Sequence, residues 1–277
     1  MKPFDFNVHL PGFRAETIDR ILEETSFDGM DILAAYGRIR SELSALHEGA
    51  NIMVFNPALA HDPNALGRLK SLLREDFGAL GIITLLAPIH EAPDIRLLAE
   101  LRQAGVWALK FHSYVQSIGE EHFPQVVRWA ESAQEAGLAL CIDTSYGSRA
   151  MYRHDNLRLA AAVLERVTRT PVILLHSGGL RIMEAMLLAE ASANAWLEAS
   201  FSLSYYQGSP LLANFAYAYR KIGAHRILYA SDFPYVTFPG ALESIQKFLA
   251  EHHFTKDESN AITTDNARRL LSSWPAS

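Results

Sequence analysis

Along this chain the hydrophobic pattern keeps changing period. Short apolar runs, rich in β-branched and aromatic residues, alternate with longer stretches in which apolar positions recur every third or fourth residue. The first pattern predicts buried strands and the second predicts amphipathic helices. Strands are expected at 4–10, 51–56, 80–89, 106–114, 138–143, 172–175, 196–201 and 226–232. Helices are expected at 64–77, 94–104, 123–136, 156–168, 181–193, 211–222, 241–252 and 266–271. Residues 14–47 also carry helical spacing, enough for two or three helices, with an interruption near 26–29. Pro11-Gly12, Pro57, Gly105, Gly137 and Pro171 punctuate these elements where turns and helix ends need them.

Strands alternating with helices long enough for right-handed crossovers predict an α/β protein. A closed (β/α)8 barrel of the TIM type suits the pattern better than a six-stranded doubly wound sheet, since no Gly-x-Gly-x-x-Gly follows any strand. No linker divides the chain, so residues 1–277 are expected to form a single barrel domain.

In such a barrel, ligands bind where strands end and loops begin. The clearest example is PVILLHSGG, in which an aliphatic strand delivers His176 to its tip just before Ser-Gly-Gly. Other strands do the same. Within FDFNVHL, alternation puts Asp5, Asn7 and His9 on one face; VWALKFHSY puts Lys110 and His112 on one face; Asp143 ends strand five and Asp232 ends strand eight. Asn7, His9, Lys110, His112, Asp143, His176 and Asp232 are therefore expected at one mouth, a set of imidazoles and carboxylates that a divalent cation such as zinc accepts.

Each residue also has a plain structural explanation. His9 could be a hydrogen-bonded core histidine, Asp232 a turn cap, and Lys110 an ion-pair partner of Asp143 or Asp232; Cys141 is expected to be buried filler. It is their shared place at strand ends that favours function. Tyr114, Tyr146, Arg149 and Tyr152 follow strands four and five closely and are candidate contacts for an anionic or carbonyl substrate. The aromatics of 201–206 and 215–219 could roof a pocket, while His47, His61, His90, His122, His154, His225, His252 and His253 have no evident partner.

Composition narrows the partners. The net charge is −6 with scattered basic residues, which argues against nucleic acid and anionic membranes and leaves a small-molecule substrate. The one cysteine cannot form an internal disulfide, the start MKPFDFNVHL lacks a signal peptide's apolar segment, and no apolar run nears the ~20 residues that span a bilayer. A soluble cytoplasmic protein is the expectation.

Taken together, FDFNVHLPG, ALKFHSY, LALCIDTSYG, PVILLHSGG, ILYASDFPY and DNARRLL resemble the amidohydrolase superfamily. The resemblance is to its amidohydrolase-2 branch, which holds metal-dependent hydrolases, decarboxylases of the aminocarboxymuconate-semialdehyde type, and sugar and pyrone lactonases. It implies a barrel in which a strand-one His-x-His, a strand-five His and a strand-eight Asp hold the metal, with zinc the expected ion here, while a strand-six His polarises the substrate or assists proton transfer. His9, His176 and Asp232 match that pattern; Asn7 replaces the first histidine of the pair and Asp143 the strand-five histidine.

Two hydrolytic mechanisms follow from the resemblance. In one, His9, Asp143, Asp232 and Asn7 hold a divalent ion that activates water. In the other, Asp232 activates water unaided while Lys110, His112 and His176 hold the oxyanion. Decarboxylation is the rival chemistry, and a barrel that only binds its ligand is the non-enzymatic alternative. Members of the branch often pair, so a homodimer is a further expectation.

Overall fold

The computed structural model describes residues 2–10, 31–146 and 149–274. Eight parallel strands follow one another in sheet order, from β1 (Phe4–His9), β2 (Gly49–Val54), β3 (Gly81–Leu86) and β4 (Val106–Phe111) to β5 (Ala139–Asp143), β6 (Val172–Leu175), β7 (Ala195–Glu198) and β8 (Ile227–Leu228). The sheet closes on itself. Phe6 N donates to Tyr229 O at 3.1 Å and His9 N to Phe233 O at 2.8 Å, which ties β1 to the segment after β8. This is the predicted (β/α)8 barrel.

Both faces of the strands are buried, for different reasons. Val8, Ile52, Val54, Leu85, Leu109, Ile142 and Leu174 face outward and pack under the helices, while Phe4, Phe6, Met53, Ile82, Trp107, Cys141, Ile173 and Leu228 fill the barrel. Near-continuous apolar strands are what such two-sided burial demands. Aspartates begin many of the helices. Asp31, Asp62, Asp94 and Asp155 accept hydrogen bonds from first-turn N–H groups of Ile32–Leu46, Pro63–Phe77, Ile95–Gln103 and Asn156–Leu164. Gly137 (φ +75°) ends Phe123–Ala136 in the left-handed conformation that glycine adopts without a Cβ penalty.

Several predicted bounds shift. The final strand covers only Ile227–Leu228 rather than 226–232, and Asp232, with φ +62°, lies outside extended geometry. The predicted break near 26–29 lies outside the described residues, and 32–46 is one helix. A short helix at Lys256–Asn260, with a Thr255/Glu258 capping box, had no counterpart in the predicted elements.

The first strand corrects one expectation. Alternation placed Asp5 beside Asn7 and His9, but the β1–β2 register shifts between Asp5 and Val8. Asp5 consequently turns away from the mouth, 3.6 Å from His47 Nε2, where Oδ1 accepts from Ser231 N (2.9 Å) and Asn7 N (3.3 Å). An irregular strand re-aims side chains in this way. His47 thus has a partner, and Asp5 stitches together the two strand ends that carry Asn7 and Asp232.

Candidate active site

The carboxyl ends of β1, β2 and β4–β8 surround a cleft of about 550 Å³. Its lining includes His9, Phe55, His112, Tyr114, Asp143, Tyr146, His176, Phe201, Asp232 and Tyr235. The predicted convergence is present. Lys110 lies beneath the floor, with its Nζ 3.6 Å from Asp143 and 4.5 Å from the centre of the Phe55 ring.

Two carboxylates organise the floor. Asp143 Oδ2 meets His176 Nε2 at 3.2 Å, His112 Nε2 at 3.3 Å and Lys110 Nζ at 3.6 Å. Its other oxygen accepts from Ser145 N (3.1 Å) and Ser145 Oγ (2.6 Å), and Ser145 Oγ lies 2.5 Å from the Tyr114 hydroxyl. Asp232 is less crowded. Its Oδ1 accepts from Asn7 Nδ2 at 3.1 Å and stands 3.1 Å from His9 Nε2.

His176 bridges to a third carboxyl group that the sequence pattern did not single out. Its Nδ1 lies 3.0 Å from Ser200 Oγ, and Ser200 Oγ donates to Glu198 Oε2 at 2.8 Å. With the hydroxyl proton committed to Glu198, Ser200 must accept from His176 Nδ1–H. Glu198 also accepts from the backbone N–H of His176 (3.2 Å) and of Ser200. The available signal was a glutamate inside the otherwise apolar strand AWLE, since a buried charge needs a partner.

The chain geometry that presents His176 is strained. His176, Ser177, Gly178 and Gly179 all have positive φ (64°, 53°, 81° and 52°). For the non-glycine pair this costs about 1–2 kcal/mol each. Local bonds offset that cost: Ser177 Oγ donates to Glu198 O (2.7 Å) and Gly178 N to Thr144 Oγ1 (2.8 Å). A Cβ at position 179 would stand 2.8 Å from Tyr146 N, so the second glycine of Ser-Gly-Gly is sterically required.

Electrostatics separate the three imidazoles. Burial alone would lower His176, but the Asp232 and Asp143 carboxylates outweigh it and raise the ring to about 9. Burial pushes His112 down to about 3 against the opposing Asp143 carboxylate, and Lys110 and His176 add to the lowering. His9 is also lowered, by burial ahead of the opposing Asp232 contact. Burial would raise Asp143, yet His112, His176 and Lys110 hold it well below the usual carboxylate range. Glu198, desolvated and only partly relieved by His176, is pushed up to about 7. Near neutral pH the site therefore contains one imidazolium and two neutral imidazoles.

The remaining predicted contacts divide. Tyr114 and Tyr146 line the cavity. Tyr152 is 75% exposed and packs edge-on against Tyr146 with ring centres 5.3 Å apart, and Arg149 is exposed; neither joins the lining. Cys141 is buried in the barrel as expected, with burial pushing its thiol up to about 12. Phe55, Val115, Ser145, Phe201 and Tyr235 from connecting segments and Met151 from the 3₁₀ turn Arg149–Tyr152 complete the lining. Among the described residues, no group of three or more His, Cys, Asp or Glu side chains is disposed to hold a metal ion. Nor is any helix of the described residues long and apolar enough to cross a membrane.

Comparison with known proteins places this geometry in a family. A family model described as "Amidohydrolase" matches residues 47–272, and the chain belongs to this family, the amidohydrolase-2 branch. The match begins after β1, so Asn7 and His9 lie outside it.

Among solved structures, the chain is similar to a probable 2-pyrone-4,6-dicarboxylic acid hydrolase from Acinetobacter baumannii (TM-score 0.66, 12% identity, covering 98% of this chain and 100% of that one). It is similar also to 2,6-dihydroxybenzoate decarboxylase from Rhizobium (0.63, 14%, 99% and 99%) and to 5-carboxyvanillate decarboxylase from Sphingomonas paucimobilis (0.63, 14%, 98% and 99%). At these identities the likeness is one of fold. No curated protein gives a significant match.

Proposed function

We propose that the chain is a hydrolase that opens a small carbonyl compound, a lactone in preference to an ester or amide, and that it does so without a resident metal. The observation that carries this reading is the unequal loading of the two carboxylates. Asp143 is saturated by Ser145, His112, His176 and Lys110, whereas Asp232 has Asn7 and His9 at a single oxygen.

The donor set does not fit zinc. The Asp143 oxygen that would ligate it already faces an ammonium group and an imidazolium, and Asn7 turns its amide N–H toward Asp232. A divalent cation placed there would meet like charge on one side and a hydrogen-bond donor on the other.

In the metal-free reaction, Asp232 accepts a proton from water, and the water oxygen bonds to the carbonyl carbon. His176, held as a cation at the cavity wall, lies where it can stabilise the oxyanion. Collapse of that intermediate breaks the ring C–O bond, and the departing alkoxide takes the proton back from Asp232. His9 and Asn7 keep the Asp232 carboxylate oriented throughout, and the Lys110–Asp143 pair fixes the potential beneath His176.

A panel of lactones, esters and amides assayed in ¹⁸O-labelled water tests the proposal. One labelled oxygen in the product, with a rate unchanged by prolonged chelation, is the expected result. Activity lost on chelation and restored by zinc or manganese would overturn the metal-free version. Carbon dioxide release from an aromatic acid without label uptake would favour decarboxylation instead, and binding without turnover would leave a ligand-binding barrel.

A further inference from the structure

A second cleft, of about 800 Å³, opens beside the polar cavity over the carboxyl ends of β2, β3 and β4. The two share Phe55 and Val115 as a common wall. Its own walls are Pro57, Ala58, Leu86, Ala87, Pro88 and Ile89, with Leu86, Ala87 and Ile89 buried in the fold beneath. The polar group nearest the partition, Gln116, is already engaged at both ends. Its Nε2 donates to Ala87 O (2.7 Å) and its Oε1 accepts from His112 N (2.9 Å). The rest of the lining is His90 and Glu91 at the exposed rim, where Glu91 pairs with His61 (3.0 Å), so the surface between that rim and the partition is apolar.

Phe55 joins the two spaces. Its ring centre lies 4.7 Å from that of His9 and 5.8 Å from that of His112, with Lys110 Nζ over the face, so the partition is part of the polar site. We propose that the cleft seats an apolar arm, alkyl or aryl, of the same substrate whose carbonyl the polar cavity holds. This rests on the hydrolase reading above and names its substrate class: uncharged lactones carrying an apolar substituent that reaches past Phe55 and Val115. Burying that arm supplies binding, and the carbonyl end alone undergoes the chemistry.

The test is a homologous series of lactones whose alkyl arm grows from methyl to hexyl. In the wild-type protein kcat/KM rises about threefold to fourfold per added methylene until the cleft is filled. Ala58 is exposed on the 3₁₀ turn Pro57–His61, so Ala58→Trp can fill the cleft without entering the core. Its hexyl-to-methyl ratio falls toward one, and Ala58→Glu, which charges the cleft, lowers the same ratio. Because each ratio is internal to one variant, a general loss of activity does not mimic the effect.

Calorimetry with the matching alkyl hydroxy acids separates this inference from the one beneath it. If no lactone is opened yet affinity grows with arm length and Ala58→Trp removes that growth, the apolar seat stands while the hydrolase reading falls. Lactones opened at rates indifferent to arm length, or affinities equally flat, overturn the seat.

Discussion

Asp143 and Asp232 are the same residue type, both buried and both at strand ends of one mouth, yet their surroundings give them opposite parts. Asp143, on β5, is a counter-ion: Lys110, His112, His176 and Ser145 converge on it, and its carboxyl is held well below the usual range. Asp232, beyond β8, has an amide and an imidazole at one oxygen and sits in left-handed backbone. A carboxylate that neutralises two cations cannot easily give up its charge. In the proposed mechanism Asp232 is the carboxylate that accepts and returns a proton. In the reading proposed above, chemistry and charge balance are divided between these two aspartates.

Substitution should expose that division. Asp232→Asn keeps shape and the Asn7 contact but removes the base, so kcat on the best lactone should fall by about 10²–10⁴-fold with little change in unfolding midpoint. Asp143→Asn should behave in the reverse sense. It leaves Lys110 and His176 buried without their shared anion, and breaking such a cluster costs about 3–5 kcal/mol, readable in urea unfolding. If Asp143→Asn proved as stable as wild type and only inactive, the division would be wrong.

The pH dependence of stability sharpens the same comparison. His176 is raised to about 9 in the fold, so the stability it adds is complete below the unfolded value of ~6.5 and is lost as pH rises through 9. Asp143, lowered, adds stability above ~3.9 that disappears as pH falls toward its folded value. His112, lowered to about 3, also costs stability as pH falls below ~6.5, because the unfolded chain takes up the proton first. Urea midpoints from pH 4 to 10 should therefore fall on the alkaline side in wild type, and that alkaline limb should flatten in His176→Asn.

Smaller effects belong to the residues behind the imidazolium. Ser200→Ala removes the acceptor of His176 Nδ1–H and the donor to Glu198, leaving buried polar atoms unpaired at about 1–3 kcal/mol. Glu198→Gln preserves the volume and should do less. In both variants kcat should drop more than KM rises if the network positions His176; equal effects on a substrate-independent unfolding curve alone would make it merely structural.

How much of this was legible depends on what the pattern encodes. Eight strands and the tips carrying His9, His112, Asp143, His176 and Asp232 could be read because an apolar run that ends in a polar residue marks both a strand and its outlet. Asp5 was misplaced because alternation assumes an unbroken register, and β1 breaks its register at that point. Glu198 left a signal in a buried strand, but Ser200 beyond it did not, since its importance arises only from contact with His176. Phe55 and Tyr235 line the cavity from loops, where side-chain direction follows tertiary packing and no period exists to report it.

Tyr152 gives the smallest and sharpest contrast. Proximity to strand five makes it a candidate substrate contact alongside Tyr146, but the two tyrosines stand differently: Tyr146 lines the cavity, while Tyr152 is 75% exposed and packs against the Tyr146 ring outside the lining. Tyr152→Ala should therefore change stability by no more than about 0.5 kcal/mol. With the wall itself intact, kcat/KM should move by less than about twofold, whereas Tyr146→Ala should raise KM severalfold by opening that wall. A Tyr152→Ala variant whose KM rose as much as that of Tyr146→Ala would mean that the loop after β5 folds over the substrate and that the cavity is deeper than its lining residues define.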